Sequence, residues 1–111
     1  MIDSLNQQYA IDDHVSFSNG AGNLPRALIS NSLAEAEIYL NGAHITAFQP
    51  HTAKQPVLWM SDRALFRNGK AIRGGIPVVW PWFGPHPTDA SKPQHGFARN
   101  EELSVSATHA L

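Results

Sequence analysis

Gln94-His95-Gly96-Phe97-Ala98-Arg99 sets an amide, an imidazole and a guanidinium within six residues. Those groups suit a polyhydroxylated ligand that carries an anion. Gln and His can hydrogen-bond hydroxyls, and Arg can grip a carboxylate or phosphate with a two-pronged fork. Gly96 leaves room for the backbone to approach a ligand. In a tight loop entering a strand, His95, Phe97 and Arg99 fall on one face. The same spacing admits a structural alternative, in which His95 caps a turn and Arg99 pairs with Glu101 or Glu102 at the surface. Arg73, just before Gly74-Gly75, presents a similar choice between a cation reaching inward and an exposed loop residue.

Other chemistry finds little support. The six histidines, at 14, 44, 51, 86, 95 and 109, show no His-x-His or His-x-x-x-His pairing of the kind metal sites use. His44 reads as a half-buried strand residue, while His86 and Lys92 read as solvent-facing loop residues. With no cysteine, disulfides, thiolate catalysis and Cys-based zinc sites are excluded. Gly20-x-Gly22 reads as a turn, because Pro25 stands where a dinucleotide fingerprint needs its third glycine. There is no Gly-x-Ser-x-Gly elbow and no P-loop. We expect no metal.

These candidates lie in Ala71–Asn100, which holds five of the eight prolines. Proline removes an amide donor and disfavours helix in the residue before it. A stretch so apolar and so broken suits the wall of a pocket, with Trp80, Trp82 and Phe83 expected in the core, although aromatic faces also stack on sugar rings. Upstream, Ala34, Ala36, Ile38 and Leu40 alternate with Glu35, Glu37, Tyr39 and Asn41, the period of a half-buried strand. Asn41-Gly42 then suggests a type I′ turn into a second strand, giving a β-hairpin over residues 34–49. Pro56–Met60 reads as a short buried strand, Ser61–Phe66 as a capped single helical turn with Ser61 or Asp62 as its N-cap, and Leu103–Ala107 as a further strand. Residues 1–23 are expected to be loosely ordered, with Ile11–Phe17 a candidate strand. The pattern is all-β, within one domain.

The 111 residues are 42% hydrophobic and 15% charged, with a formal net charge of −1. The eight Lys and Arg are scattered, and nucleic-acid binders instead cluster their basic residues. The apolar run Ile76–Phe83 is far shorter than the ~20 residues of a membrane span. No secretory leader pattern opens the chain. We expect no nucleic-acid or membrane partner and a cytoplasmic location.

Three ordered motifs carry a family resemblance. Lys70-Ala71-Ile72-Arg73-Gly74-Gly75-Ile76-Pro77, Trp80-Pro81-Trp82-Phe83-Gly84 and Gln94-His95-Gly96-Phe97-Ala98-Arg99-Asn100 resemble the hexose-6-phosphate mutarotases, the glucose-6-phosphate 1-epimerase branch of the aldose 1-epimerase superfamily. Leu40-Asn41-Gly42-Ala43-His44 and Val57-Leu58-Trp59-Met60-Ser61 fit the same pattern in order, so the likeness runs from Leu33 to Asn100. It implies an antiparallel β-sandwich, the N-terminal part of a galactose-mutarotase-like supersandwich with the sugar on its concave face. It also implies interconversion of the α and β anomers of a hexose 6-phosphate without a cofactor. Arg73, Gln94 and Arg99 match substrate-binding positions, the arginines as phosphate ligands, and His95 would line the site without donating the proton. The family's acid is a histidine and its base a glutamate, both expected beyond Leu111, and His109 is too close to the motif to be that acid. Leu103 stands where the family usually has Trp. The resemblance therefore implies an N-terminal portion that lacks the proton-transfer pair and is inactive alone. Its alternative role is an inactive sugar-phosphate-binding or assembly module, self-associating through open strand edges.

Overall fold

Alternation along four short segments builds a single antiparallel sheet. The computed structural model describes residues 1–110. Strands β1 (Val15–Asn19), β2 (Pro25–Ser30), β3 (Ala34–Tyr39) and β4 (His44–Pro50) pair in the order β1-β2-β3-β4. Val15 faces Ile29, Phe17 faces Ala27, Ala27 faces Ile38, and Ile38 faces Ile45. Residues opposite one another in a ladder point the same way, so this set forms one apolar face. The intervening Ser16, Ser18, Arg26, Leu28 and Glu37 form the other. There Arg26 pairs with Glu37, which also accepts a hydrogen bond from the Thr46 hydroxyl. The register shifts between Glu37 and Ile38, leaving Thr46 as the extra residue of a β-bulge.

The expected hairpin is β3-β4, with a different turn. Positive φ falls at Gly42 (78°) and Ala43 (46°) and not at Asn41, so the turn is not type I′. Asn41 is occupied elsewhere: it is 1% exposed, donates to the Lys70 carbonyl at 2.8 Å and accepts from the Gly69 amide at 3.1 Å. A Cβ on Gly42 would lie 2.7 Å from the Arg99 carbonyl oxygen. The hairpin turn is thus a socket for two later segments.

Beyond β4 the chain contributes bridges instead of strands. Ile45 and Ile76 exchange both backbone bonds (3.2 and 2.8 Å), Gly75 N donates to Trp59 O (2.7 Å) and Ser61 N to Arg73 O (3.2 Å). The strand expected at Pro56–Met60 shrinks to that single contact, with Val57 51% and Trp59 71% exposed. An apolar run becomes a strand only where a neighbour pairs along its length, and here the pairing stops at one position. Leu103–Ala107 likewise forms no ladder; it is tied by Leu103 N to Leu40 O (2.9 Å) and, just beyond, by the Thr108 hydroxyl to Tyr9 O (2.6 Å). Ser61 does cap a turn, through Arg63 N to its hydroxyl at 3.1 Å, but the helical turn expected over Ser61–Phe66 does not form. The antiparallel, strand-rich architecture is the expected one, with the sandwich present only in part.

Residues 1–23, expected to be loosely ordered, form α1 (Ile2–Tyr9), β1 and a 3₁₀ turn over Ala21–Asn23. Helix α1 buries no residue. It attaches through Asn6, whose amide donates to Phe17 O and accepts from Phe17 N, both at 2.8 Å. One side chain thereby occupies part of the open edge of β1. At the other edge of the sheet, Ile76 occupies Ile45.

The core is small: Phe17, Leu24, Ala27, Tyr39, Leu40 and Ile72 are buried, and Leu24, Tyr39 and Ile72 cluster with the partly buried Met60, Ala64 and Phe66. A radius of gyration of 15.1 Å exceeds the ~13 Å of a compact domain this long, consistent with so little burial. Trp80 and Phe83, read as core from their type, are 66% and 82% exposed. Trp82 is half-buried, its indole N–H on Pro93 O at 3.0 Å and its ring edge-on to Phe97 at 4.9 Å.

Candidate functional site

Two glycine-dependent bends bring the sequence candidates together. At the first, Gly74 and Gly75 take φ of +106° and +63°. A Cβ on Gly75 would lie 2.2 Å from Ile45 O, so no side chain fits between this bend and β4. The bend carries Arg73. At the second, Trp80 O accepts from Phe97 N (2.8 Å) and Ala98 N (3.2 Å), and His95 N donates to Gly84 O (2.8 Å). A Cβ on Gly96 would lie 1.9 Å from Trp80 O. A 3₁₀ turn over Ala98–Asn100 then presents Arg99. Arg73, His95 and Arg99 line one cleft of about 400 Å³, together with Gly74, Gly75, Trp59, Pro77, Val79 and Phe83.

Among the described residues no carboxylate lines this cleft, and none pairs with its two guanidinium groups. Among the described residues the ion pair is Arg26–Glu37. The surface pairing of Arg99 with Glu101 or Glu102 does not form. Instead Arg99 Nη2 donates to the Gln94 carbonyl at 3.0 Å, and its Nε is buried without a hydrogen-bond partner. Arg73 is exposed and makes no side-chain hydrogen bond among those present. Unneutralised cations over a mostly apolar lining favour an anion, because a charge-assisted bond there competes with less water.

His95 caps a turn, one of the two readings its spacing allowed, and also lines the cleft. Its Nδ1 accepts from Gly84 N at 2.9 Å, clipping the turn. That bond assigns the ring proton to Nε2 when the imidazole is neutral, so the ring offers the cleft a donor. Its plane tilts over Phe83 with centroids 4.9 Å apart. Gln94 stands apart: it is exposed, does not line the cleft and contributes its backbone carbonyl to Arg99. His86, read as solvent-facing, is half-buried and accepts from the amides of Thr88 (3.2 Å) and Asp89 (3.0 Å). Lys92 sits 5.7 Å above the Phe97 ring.

Sequence reasoning passed over two contributors. Trp59 lines the cleft beside Phe83, and composition alone assigns such a residue to a core. His44 is 1% exposed and donates from Nε2 to the Gly74 carbonyl. Burial lowers its pKa below the ordinary histidine value; the Gly74 bond opposes this and the nearby Arg99 charge adds to it. Its place after the Asn41-Gly42 turn was visible in sequence, but its partner thirty residues on was not.

A larger cavity of about 520 Å³ lies along the sheet, lined by Asp13, His14, Glu35 and Glu37 among others. Its charge has the wrong sign for an anion and it is remote from the motif residues. Among the described residues, no group of three His, Cys, Asp or Glu is placed to hold a metal, and no helix is long and apolar enough to cross a membrane.

Comparison with known proteins follows the same residues. The profile of the aldose 1-epimerase family matches residues 25–110. The Escherichia coli (strain K12) protein named "Putative glucose-6-phosphate 1-epimerase" is 42% identical over 82 residues, 74% of this chain and 27% of its own length. The Salmonella typhimurium protein of the same name is 40% identical over 80 residues, 72% of this chain and 26% of its own. The crystal structure titled a "putative mutarotase (YeaD)" from Salmonella typhimurium superposes with a TM-score of 0.79 at 32% identity, over 96% of this chain and 36% of that one. The structure of HI1317 gives 0.78 at 32% identity, over 92% and 36%. The chain thus spans about a quarter of the length of these curated relatives.

Proposed function

The chain belongs to the aldose 1-epimerase family, and we propose that it supplies the sugar- and phosphate-binding wall of a hexose-6-phosphate 1-epimerase. One observation carries the phosphate: Arg73 and Arg99 share a cleft with no carboxylate to neutralise them. In this reading the two guanidinium groups hold the 6-phosphate, with Arg99 oriented by the Gln94 carbonyl. Trp59 and Phe83 offer apolar faces to the ring, and His95 donates from Nε2 to a hydroxyl. Gln94 reaches the ligand, if it binds as the resemblance implies, by turning its exposed amide over the rim.

The reaction needs a base to take the proton of the anomeric hydroxyl and an acid to protonate the ring oxygen. The ring then opens, the C1 carbonyl rotates, and closure gives the other anomer. The cleft's ionisable side chains are Arg73, Arg99 and His95. An arginine does not give up its proton in a protein, and the Nδ1 of His95 is engaged by Gly84. The 111 residues alone are therefore proposed to bind a hexose 6-phosphate without turning it over. A phosphorylated sugar is a dianion that does not cross a bilayer unaided, which makes the cytoplasm the proposed setting.

Titration calorimetry with glucose 6-phosphate and with glucose tests the binding, and polarimetry of fresh α-glucose 6-phosphate tests the chemistry. We expect binding that requires the phosphate and no mutarotation above the spontaneous rate. Equal affinity for glucose would remove the arginines from the site. A clear protein-dependent rate would place the proton-transfer groups within this chain.

A further inference from the structure

His44 lies beneath the cleft and touches neither the space nor the solvent, yet it joins the elements that carry both arginines. Its Nε2 donates to Gly74 O, the carbonyl directly after Arg73. A Cβ on Gly75 would come 3.2 Å from that same nitrogen, so the ring abuts the bend on which Arg73 depends. Two residues before it, Gly42 packs against the Arg99 backbone, its hypothetical Cβ 2.7 Å from Arg99 O. Gly42 N also donates to Glu101 O at 2.6 Å. Gly42-Ala43-His44 is therefore held between the Arg73 bend on one side and the Arg99 turn on the other.

We infer that His44 is a positioning residue for anion binding: a buried donor to the Gly74 carbonyl that fixes the spacing of Arg73 and Arg99 without touching the ligand. The inference rests on the phosphate-binding reading above. The charged and titratable groups on the elements packed around it are Arg73 on the bend, Arg99 and Glu101 on the turn, and Tyr39 across the β3-β4 ladder. The hydroxyl of Tyr39 is directed away, accepting from Ala21 N at 2.9 Å. Both cations lie on the anion-binding side, so moving the imidazole moves the geometry on which a two-point grip depends. An anion held by two guanidinium groups is sensitive to their separation in a way that one held by a single group is not.

Two substitutions of similar polarity separate positioning from general stability. The amide nitrogen of Gln occupies nearly the place of a histidine Nε2, whereas that of Asn occupies the place of Nδ1 and falls short of Gly74 O. His44→Gln and His44→Asn both disturb a buried site. On this inference only His44→Asn weakens binding of glucose 6-phosphate, by about tenfold or more, and His44→Gln stays within about threefold of wild type. The second readout is the Arg99 Nε–H resonance, assigned by its loss in Arg99→Lys. That buried proton should be shielded from exchange in wild type and His44→Gln, and should exchange freely in His44→Asn. Equal affinities for the two variants, with Arg99 Nε–H unchanged, would overturn the inference while leaving the phosphate site standing. Absence of glucose 6-phosphate binding in wild type would overturn the phosphate reading. The Arg99 resonance alone then decides whether His44 positions the arginine: protection equal in both variants refutes it, and loss confined to His44→Asn upholds it.

Discussion

Gly75 and Gly84 form a matched pair that tests whether the cleft lip is pressed against the sheet. Both hold left-handed backbone, with φ of +63° and +72°. Placing alanine in such a conformation costs about 1–2 kcal/mol whatever surrounds it. The surroundings differ completely. A Cβ on Gly84 would meet nothing within 4 Å, whereas one on Gly75 would lie 2.2 Å from the Ile45 carbonyl oxygen. That oxygen belongs to backbone and cannot swing aside, so Gly75→Ala must push the bend off β4. Doing so breaks the two backbone bonds between Ile45 and Ile76, worth about 0.5–1.5 kcal/mol each. Gly84→Ala should therefore destabilise by about 1–2 kcal/mol and Gly75→Ala by about 2–5 kcal/mol. In a domain near 100 residues, 1 kcal/mol moves the melting temperature by about 4 °C or more. Calorimetric or circular-dichroism melts of the two variants, side by side, give the comparison. Equal shifts in both would refute the reasoning, because they would leave only the conformational term and no contact between bend and sheet.

Two further expectations concern charge. Arg73→Gln and Arg99→Gln should each weaken glucose 6-phosphate binding by about 10- to 100-fold, since a hydrogen bond to a charged group is worth ~1.5–3 kcal/mol; affinity for unphosphorylated glucose should not change, and calorimetry reads both. The buried His44 predicts an acid limb in stability. Its folded pKa is lowered, so as pH falls past about 6.5 the unfolded chain takes up the proton first. Stability is full above that pH and declines below it, and the urea midpoint of His44→Gln should decline less between pH 7 and pH 5.

The antiparallel β architecture was legible in the sequence, and so were three of the four side chains proposed for the site; Gln94 does not line the cleft. Arg73, His95 and Arg99 were singled out because their chemistry is unusual beside glycine, and the folded chain gathers them in one cleft. What spacing left open was settled by contacts that no local pattern encodes. Arg99 might equally have met Glu101, and it is the Gln94 carbonyl that takes its Nη2 instead. The hairpin could be read from alternation, but its turn type could not, because Asn41 spends its amide on Lys70 and Gly69 twenty-eight or more residues away. Helix α1 carries Ile2, Leu5 and Tyr9 at helical spacing, a stripe too short to stand out among polar neighbours, and one polar side chain, Asn6, hydrogen-bonds it to the sheet.

The apolar segments failed as predictors for a related reason. Composition records how much a residue gains from leaving water; whether it leaves is decided by what packs against it. Pro56–Met60 and Trp80–Phe83 have the side chains of buried elements, but their backbone finds partners at isolated points: Trp59 O, Ser61 N, Trp80 O and Gly84 O. Those points are the ones that shape the cleft. Trp80 O alone gathers Phe97 N and Ala98 N, and so sets where the turn carrying Arg99 begins. The same segments are therefore poor strands and good walls. A regular ladder would satisfy each carbonyl in sequence and align the side chains on two faces. Single bridges at glycine bends instead leave Arg73, His95 and Arg99, on different segments, free to converge. That convergence is what the proposed sugar-phosphate site requires, and it makes the glycines of this region as much a part of the candidate cleft as the arginines.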